Sequence, residues 1–162
     1  LREMGASIED LEKRDGGEEI ADLRLRTSVL KGVDVPAERA PSMIDEYPIL
    51  AVAASFAEGV TRMRGLKVLR VKESDRLATV TSELRRLGAT VEERPDSLLI
   101  QPGWSSEPAV IETHNDHRIA MAFAIAGLAR GNVTIGKDQV VTKSYPRFWR
   151  TLEEAMAASS PR

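Results

Sequence analysis

His117-Arg118-Ile119-Ala120-Met121-Ala122-Phe123-Ala124-Ile125-Ala126-Gly127-Leu128-Ala129-Arg130 reads as a helix that is apolar on nearly every face, with its charges confined to the two ends. A helix apolar all round belongs inside a domain, not on its surface. The stretch from Asp45 to Glu58 has the same character, through Ile49-Leu50-Ala51-Val52-Ala53-Ala54-Ser55-Phe56-Ala57. Between the two, Leu77, Val80, Leu84 and Leu87 recur at helical spacing with polar residues between them, which predicts an amphipathic helix with one face in solvent. A last helix begins near Pro146 and turns Phe148, Trp149, Leu152 and Met156 inward; it is expected to fray from Ser159.

Strand signals surround these helices at Ser7 to Glu12, Ile20 to Thr27, Val91 to Arg94, Leu98 to Gln101, Val110 to Glu112 and Val133 to Ile135. Ala21-Asp22-Leu23-Arg24-Leu25-Arg26 alternates strictly, as a half-buried strand does. The pattern also repeats. Leu1-Arg2-Glu3-Met4-Gly5-Ala6-Ser7-Ile8-Glu9 returns as Leu84-Arg85-Arg86-Leu87-Gly88-Ala89-Thr90-Val91-Glu92: a helix end, a glycine just past it, then a strand. The two apolar helices echo each other as well, each closed by a glycine (Gly59, Gly131) and followed by a short strand. The period, about 70 to 85 residues, is longer than that of solenoid repeats. We expect an α/β domain of two units, 1–88 and 89–158, each with one helix in the core and strands outside it, and a tail at 159–162. The chain opens at Leu1, without Met and in what reads as the last turn of a helix, so a piece of a longer protein is expected.

Composition narrows the function. A chain of 162 residues, 42% apolar and 30% charged, suits one globular domain with a proper core. A net charge of −2 argues against nucleic-acid or membrane-surface binding. The absence of cysteine excludes disulfides and thiolate chemistry. No segment reads as a signal peptide, and the apolar run from Ile119 to Ala129 is too short for a bilayer, which needs about 20 residues. The expected location is the cytoplasm.

Four short stretches place charge at or just before a helix start, where burial makes it expensive without a partner or ligand. In Ser42-Met43-Ile44-Asp45-Glu46-Tyr47-Pro48, Asp45 stands at the start of a core helix and can serve as its N-cap. In Arg70-Val71-Lys72-Glu73-Ser74-Asp75-Arg76, Ser74 or Asp75 can cap the amphipathic helix, which leaves Arg76 in the first turn. A cation there opposes the helix dipole unless an anion is near; otherwise the run is a solvated charged surface. In Thr113-His114-Asn115-Asp116-His117-Arg118, Asn115 or Asp116 can cap the second core helix, with His117 and Arg118 in its first turn. Two histidines and an aspartate so close could hold a metal, but the histidines are three apart and no other exists. In Val141-Thr142-Lys143-Ser144-Tyr145-Pro146, Lys143 precedes the last helix and in isolation reads as a surface lysine. If the units pack about a pseudo-axis, the helix starts converge: Arg76, Arg118 and Lys143 would surround one anion, with Asp45 and Glu73 as acid and base candidates.

At these four stretches the chain resembles the 5-enolpyruvylshikimate-3-phosphate synthase family, through Asp45-Glu46-Tyr47-Pro48-Ile49-Leu50, Arg70-Val71-Lys72-Glu73-Ser74-Asp75-Arg76-Leu77, Asp116-His117-Arg118-Ile119-Ala120-Met121 and Lys143-Ser144-Tyr145-Pro146-Arg147-Phe148, in that order. The resemblance implies an enolpyruvyl transferase fold of repeated βαβαββ units with core helices and outer sheets, of which this chain holds about two of three in one domain. It implies transfer of the enolpyruvyl group of phosphoenolpyruvate to the 5-hydroxyl of shikimate 3-phosphate, with release of phosphate, on the route to aromatic amino acids. No metal or organic cofactor is implied, and the full-length enzyme is expected to be a monomer. Residue by residue, Asp45 matches the acidic group that contacts the shikimate hydroxyls and is a proposed base. Lys72 and Glu73 match a proton-transferring pair, and Arg76, Arg118 and Lys143 match the groups that bind phosphoenolpyruvate, with His117 beside them. Which carboxylate is the base stays open. Where some members carry an asparagine four residues before Lys72, this chain has Val68, so that contact does not carry over.

The substrates of such an enzyme bind between two domains, so the missing N-terminal domain is the expected partner, and this chain alone is expected to be inactive. Two other functions fit less well: an enolpyruvyl transferase acting on UDP-N-acetylglucosamine, and a non-catalytic anion-binding domain.

Overall fold

The structure is a computed structural model and describes residues 1–159. In chain order it comprises β1 (Ser7–Asp15), β2 (Glu19–Arg26), β3 (Asp34–Val35), α1 (Ala40–Met43), α2 (Tyr47–Ser55), β4 (Thr61–Met63), α3 (Arg76–Arg86), β5 (Thr90–Glu93), β6 (Leu98–Gln101), β7 (Ala109–Ile111), α4 (His117–Arg130), β8 (Val133–Ile135) and α5 (Phe148–Ser159). Among the described residues no helix is long and apolar enough to cross a membrane.

α2 and α4 are the two helices read as apolar all round, and they pack against each other in the middle of the fold. Alanines recur among their buried positions, Ala51 and Ala54 on α2 and Ala120, Ala122 and Ala126 on α4, beside larger Val52, Ile119 and Phe123. Small side chains set a short distance between packed helices. Burial is not complete, however. Ile49 on α2 and Ile125 on α4 stay exposed and leave one apolar flank open beside Met43, Leu50, Phe56 and Ala129. α2 is also shorter than the apolar run suggested, because residues Ile44–Glu46 form a separate 3₁₀ turn before it.

α3 follows its pattern closely. Asp75 caps it by accepting the Ala78 amide at 2.9 Å, and Leu77, Val80 and Leu84 are buried. It ends at Gly88, whose φ of +101° and whose close approach to the Ser105 amide (2.6 Å from any added Cβ) leave room for glycine alone. Gly5 ends the first helical turn in the same left-handed conformation, so the repeated Leu-Arg-x-x-Gly-Ala pattern marks the same device twice.

Among the described residues the strands form three sheets. β3, β4, β6 and β5 lie side by side in that order, parallel between β3 and β4 and antiparallel elsewhere. Val91, Leu98 and Ile100 turn into the core and Glu92 turns out, the alternation of a sheet with one wet face. β7 and β8 pair in parallel with α4 as their crossover. β1 and β2 form a long antiparallel hairpin with a bulge between Asp10 and Glu12. β3 is too short to give a sequence pattern.

Two expectations are corrected here. β2 is exposed along its whole length, Leu23 at 51% and Leu25 at 64%, because the hairpin stands beside the core instead of lying on it. Only a recess of about 550 Å³, walled by Ile8, Leu23, Met4, Val33, Val35 and others, separates its apolar face from the domain. On α5, Phe148 is buried against Ala120, Ala124 and Val141, with Trp149 and Leu152 packed beside it, but Met156 is 50% exposed. α5 runs through Ser159, and the rest of the expected tail, 160–162, lies outside the described residues.

Candidate functional site

The starts of α2, α3 and α4 and the end of the 3₁₀ segment Asp138–Lys143 meet at one end of the domain. At their centre is Arg76, a guanidinium only 1% exposed. Its Nε donates to Asp116 Oδ2 at 2.7 Å, its Nη1 to Asp45 Oδ1 at 2.7 Å, and its Nη2 to Glu73 Oε2 at 2.6 Å and Asp116 Oδ1 at 3.3 Å. A buried arginine needs such partners, since removing it from water without them would cost several kcal/mol.

Asp116, fully buried, is the inner partner. One oxygen takes Arg76 Nε and the Ser74 hydroxyl (3.0 Å); the other caps α4 by accepting the Arg118 amide at 3.0 Å. Burial would raise its carboxyl, but Arg76, Ser74 and the Arg118 amide outweigh that and hold it below its ordinary 3.8. Its oxygens are thus engaged, and His114 is exposed in a left-handed turn (φ 50°), so this stretch does not gather as metal ligands.

Asp45 does not cap α2. It sits in the preceding 3₁₀ turn, and its carboxylate points at cations: Arg76, Lys72 at 3.2 Å and Arg118 at 3.5 Å. Arg118 Nη1 also donates to the Asp45 main-chain carbonyl at 3.2 Å and lies 3.7 Å from Glu46. Burial raises the Asp45 carboxyl, yet the bond from Lys72 and the charges of Arg118 and Arg76 bring it below 3.8. Glu73 lies on the other side of Arg76, within 3.5 Å of Lys143. Its own backbone amide, then Arg76 and Lys143, lower its carboxyl below 4.5 against burial and the Asp116 charge.

His117 is 7% exposed, and its Nδ1 has no hydrogen-bond partner; the nearest acid is Glu73 at 4.0 Å. Burial pushes its imidazole below 6.5 despite Asp116 and Glu73, so it is chiefly neutral at pH 7. Beside Asp45 and Arg118 a recess of about 240 Å³ opens, walled by Pro48, Ile49, Met121 and Phe148.

All seven residues singled out in the sequence therefore share one cluster, but not in the simple arrangement of three cations around an empty centre. The cations Lys72, Arg76, Arg118 and Lys143 face the carboxylates Asp45, Glu73 and Asp116, with the carboxylates acting as their anions. Lys72, Arg118 and Lys143 keep side chains 27%, 35% and 59% exposed and can turn donors outward; Arg76 is enclosed. Sequence reading missed Asp116 and Ser74 as members of the network. The signal was present: a capping aspartate has a second oxygen to give, and Arg76 needed a buried acid.

Comparison with known proteins points one way. The family model described as EPSP synthase (3-phosphoshikimate 1-carboxyvinyltransferase) matches residues 1–152. A Methylorubrum extorquens protein named 3-phosphoshikimate 1-carboxyvinyltransferase is 58% identical over 157 residues, covering 94% of this chain and 34% of that protein. One of the same name from Paramagnetospirillum magneticum is 56% identical over 153 residues, covering 91% of this chain and 34% of that protein. Among solved structures, EPSP synthase from Acinetobacter baumannii superposes with a TM-score of 0.83 at 36% identity, over 96% of this chain and 37% of that one. The chain thus spans about a third of the length of the curated relatives it matches.

Proposed function

The chain belongs to the EPSP synthase family, and on that premise we propose that it forms part of an enzyme that transfers the enolpyruvyl group of phosphoenolpyruvate to the 5-hydroxyl of shikimate 3-phosphate. The observation that carries the proposal is the density of charge at one end of the domain: Lys72, Arg118 and Lys143 around Asp45, Glu73 and the enclosed Arg76. Both substrates carry several negative charges, and such a cluster binds and orients them.

In the proposed reaction the 5-hydroxyl oxygen bonds to C2 of phosphoenolpyruvate while its methylene takes a proton and the hydroxyl loses one. The resulting tetrahedral adduct expels phosphate, and loss of a proton from the new methyl restores the alkene. Arg118 and Lys143 hold the donor's carboxylate and phosphate as charge grows on the leaving group. Lys72 and Glu73 stand where protons move, and Asp45 holds the acceptor's hydroxyls. As they stand, Asp45 and Glu73 are poor bases: the cations around Asp45 lower its carboxyl, and for Glu73 its own backbone amide does so first, with Arg76 and Lys143 adding to it. A bound anion that engages Lys72, Arg118 and Lys143 weakens those pairings and raises both carboxyls toward the range useful for proton transfer. Arg76, with every nitrogen engaged, meets the donor only where Asp45 or Glu73 yields its place.

The remainder of the longer protein has two tasks in this proposal. It supplies the opposite wall of the cleft, and it covers the open flank at Ile49 and Ile125, which an independent domain of this size would seldom leave bare. The units 1–88 and 89–158, a monomeric full-length enzyme and a cytoplasmic location belong to the same proposal.

Replacing Arg118 in the full-length protein tests it. Arg118→Ala is expected to raise KM for phosphoenolpyruvate about 10–100-fold, the loss of a charged hydrogen bond to an anion. The apparent melting temperature should shift little, since Arg118 is only partly buried. Unchanged kinetics in a folded variant would remove Arg118 from the donor site.

A further inference from the structure

We infer that Arg70 is a positioning residue of this site: it fixes the loop that presents Lys72 and Glu73 and does not itself meet substrate. Its kinetic consequence rests on the function proposed above; its structural consequence does not.

Arg70 lies in the 3₁₀ segment Lys67–Val71, and each nitrogen of its guanidinium is engaged. Nε donates to the Pro95 carbonyl at 2.9 Å and Nη2 to the Arg94 carbonyl at 2.8 Å, with Glu93 Oε1 also 2.8 Å from Nη2. Nη1 donates to Asp75 Oδ2 at 3.1 Å. The partners stand on two different elements. Glu93, Arg94 and Pro95 are the end of β5 and the turn into β6; Asp75 is the cap of α3, its other oxygen holding the Ala78 amide. One planar fork thus ties residue 70, a sheet turn and a helix start together. Between the tied ends run only Val71, Lys72, Glu73 and Ser74.

Ser74 is held from within by its hydroxyl on Asp116 and by its carbonyl on the Arg76 amide, but the outer half of the loop is less anchored. Val71 is 82% exposed, and the backbone is extended at Lys72 (φ −84°, ψ −156°). Yet Lys72 must reach Asp45, and Glu73 must reach Arg76 and Lys143. Closing the loop at its base sets where both side chains point. Arginine suits the task because its donors diverge in a fixed plane and serve carbonyls and carboxylates together; a lysine nitrogen cannot span both sides.

The test uses the full-length protein with Arg70→Ala and Arg70→Lys, read by hydrogen exchange and by kinetics. In Arg70→Ala, amides 71–75 should exchange at least about tenfold faster while those of α4 do not change, and kcat should fall about 10–100-fold with KM for phosphoenolpyruvate within about threefold. Arg70→Lys should recover less than half of the lost rate. Should Arg70→Ala not fold, Arg70→Lys and Asp75→Asn, which keeps a capping oxygen, carry the same two readouts. Unchanged exchange in the loop, faster exchange without loss of kcat, or full rescue by lysine would each overturn the inference. If the unaltered protein shows no turnover with these substrates, the proposed function fails, and loop exchange alone decides whether Arg70 holds the loop.

Discussion

Asp116 joins a helix start to the centre of the charged cluster. It caps α4 with one oxygen, grips the inner edge of Arg76 with both, and leaves that guanidinium's outer nitrogens facing Asp45 and Glu73. Removing one member of such a buried pair strands the other charge, at about 3–5 kcal/mol. Asp116→Asn is therefore expected to lower the stability of the full-length protein by about that amount at pH 7, measured by denaturant unfolding. The pH dependence has a definite sign. The folded Asp116 carboxyl lies below its unfolded value of 3.8, so its contribution is complete above that value and is lost as pH falls through the folded one. The gap between parent and variant should hold from pH 7 to about 5 and narrow below about 4; a gap that widens on acidification contradicts the assignment. Sequence could identify Asp116 as a cap, since capping is local. It could not show the bond to Arg76, which joins residues 40 positions apart.

The four longest helices were legible because each carries a period or a run of its own: the leucine spacing of α3, the apolar runs of α2 and α4, the aromatic start of α5. What sequence could not show was how completely they are covered. Alternation in β2 signals one apolar face, but not whether anything lies on that face, and Leu23 and Leu25 remain exposed. The repeated glycines were the most local signal and the most reliable, because a left-handed residue at a helix end has few chemical solutions. Gly88→Ala should accordingly destabilise by about 1–3 kcal/mol, from the positive φ and the contact with the Ser105 amide, read as a lower unfolding midpoint. Gly59→Ala shares the positive φ but meets no atom within 4 Å, so it should cost less. Equal losses at the two positions would show that crowding at Gly88 contributes nothing.

At the scale of the molecule, the charged stretches are brought by α2, α3 and α4 to one end of the domain, where each supplies what the others lack. Buried Arg76 obtains its carboxylates, and those carboxylates obtain the more exposed Lys72, Arg118 and Lys143. The convergence was foreseeable from the shared position of charge at helix starts. The internal neutralisation was not, because it depends on which side chains reach one another across elements. On the outer side of the cluster Lys72, Arg118 and Lys143 stay partly exposed. The most direct test is release of inorganic phosphate from phosphoenolpyruvate by the full-length protein, with shikimate 3-phosphate or UDP-N-acetylglucosamine as acceptor and the 162-residue chain assayed in parallel. Release by the full-length protein with shikimate 3-phosphate alone, and none from the isolated chain, is the predicted result. Release with the nucleotide sugar instead, or turnover by the isolated chain, would contradict the account.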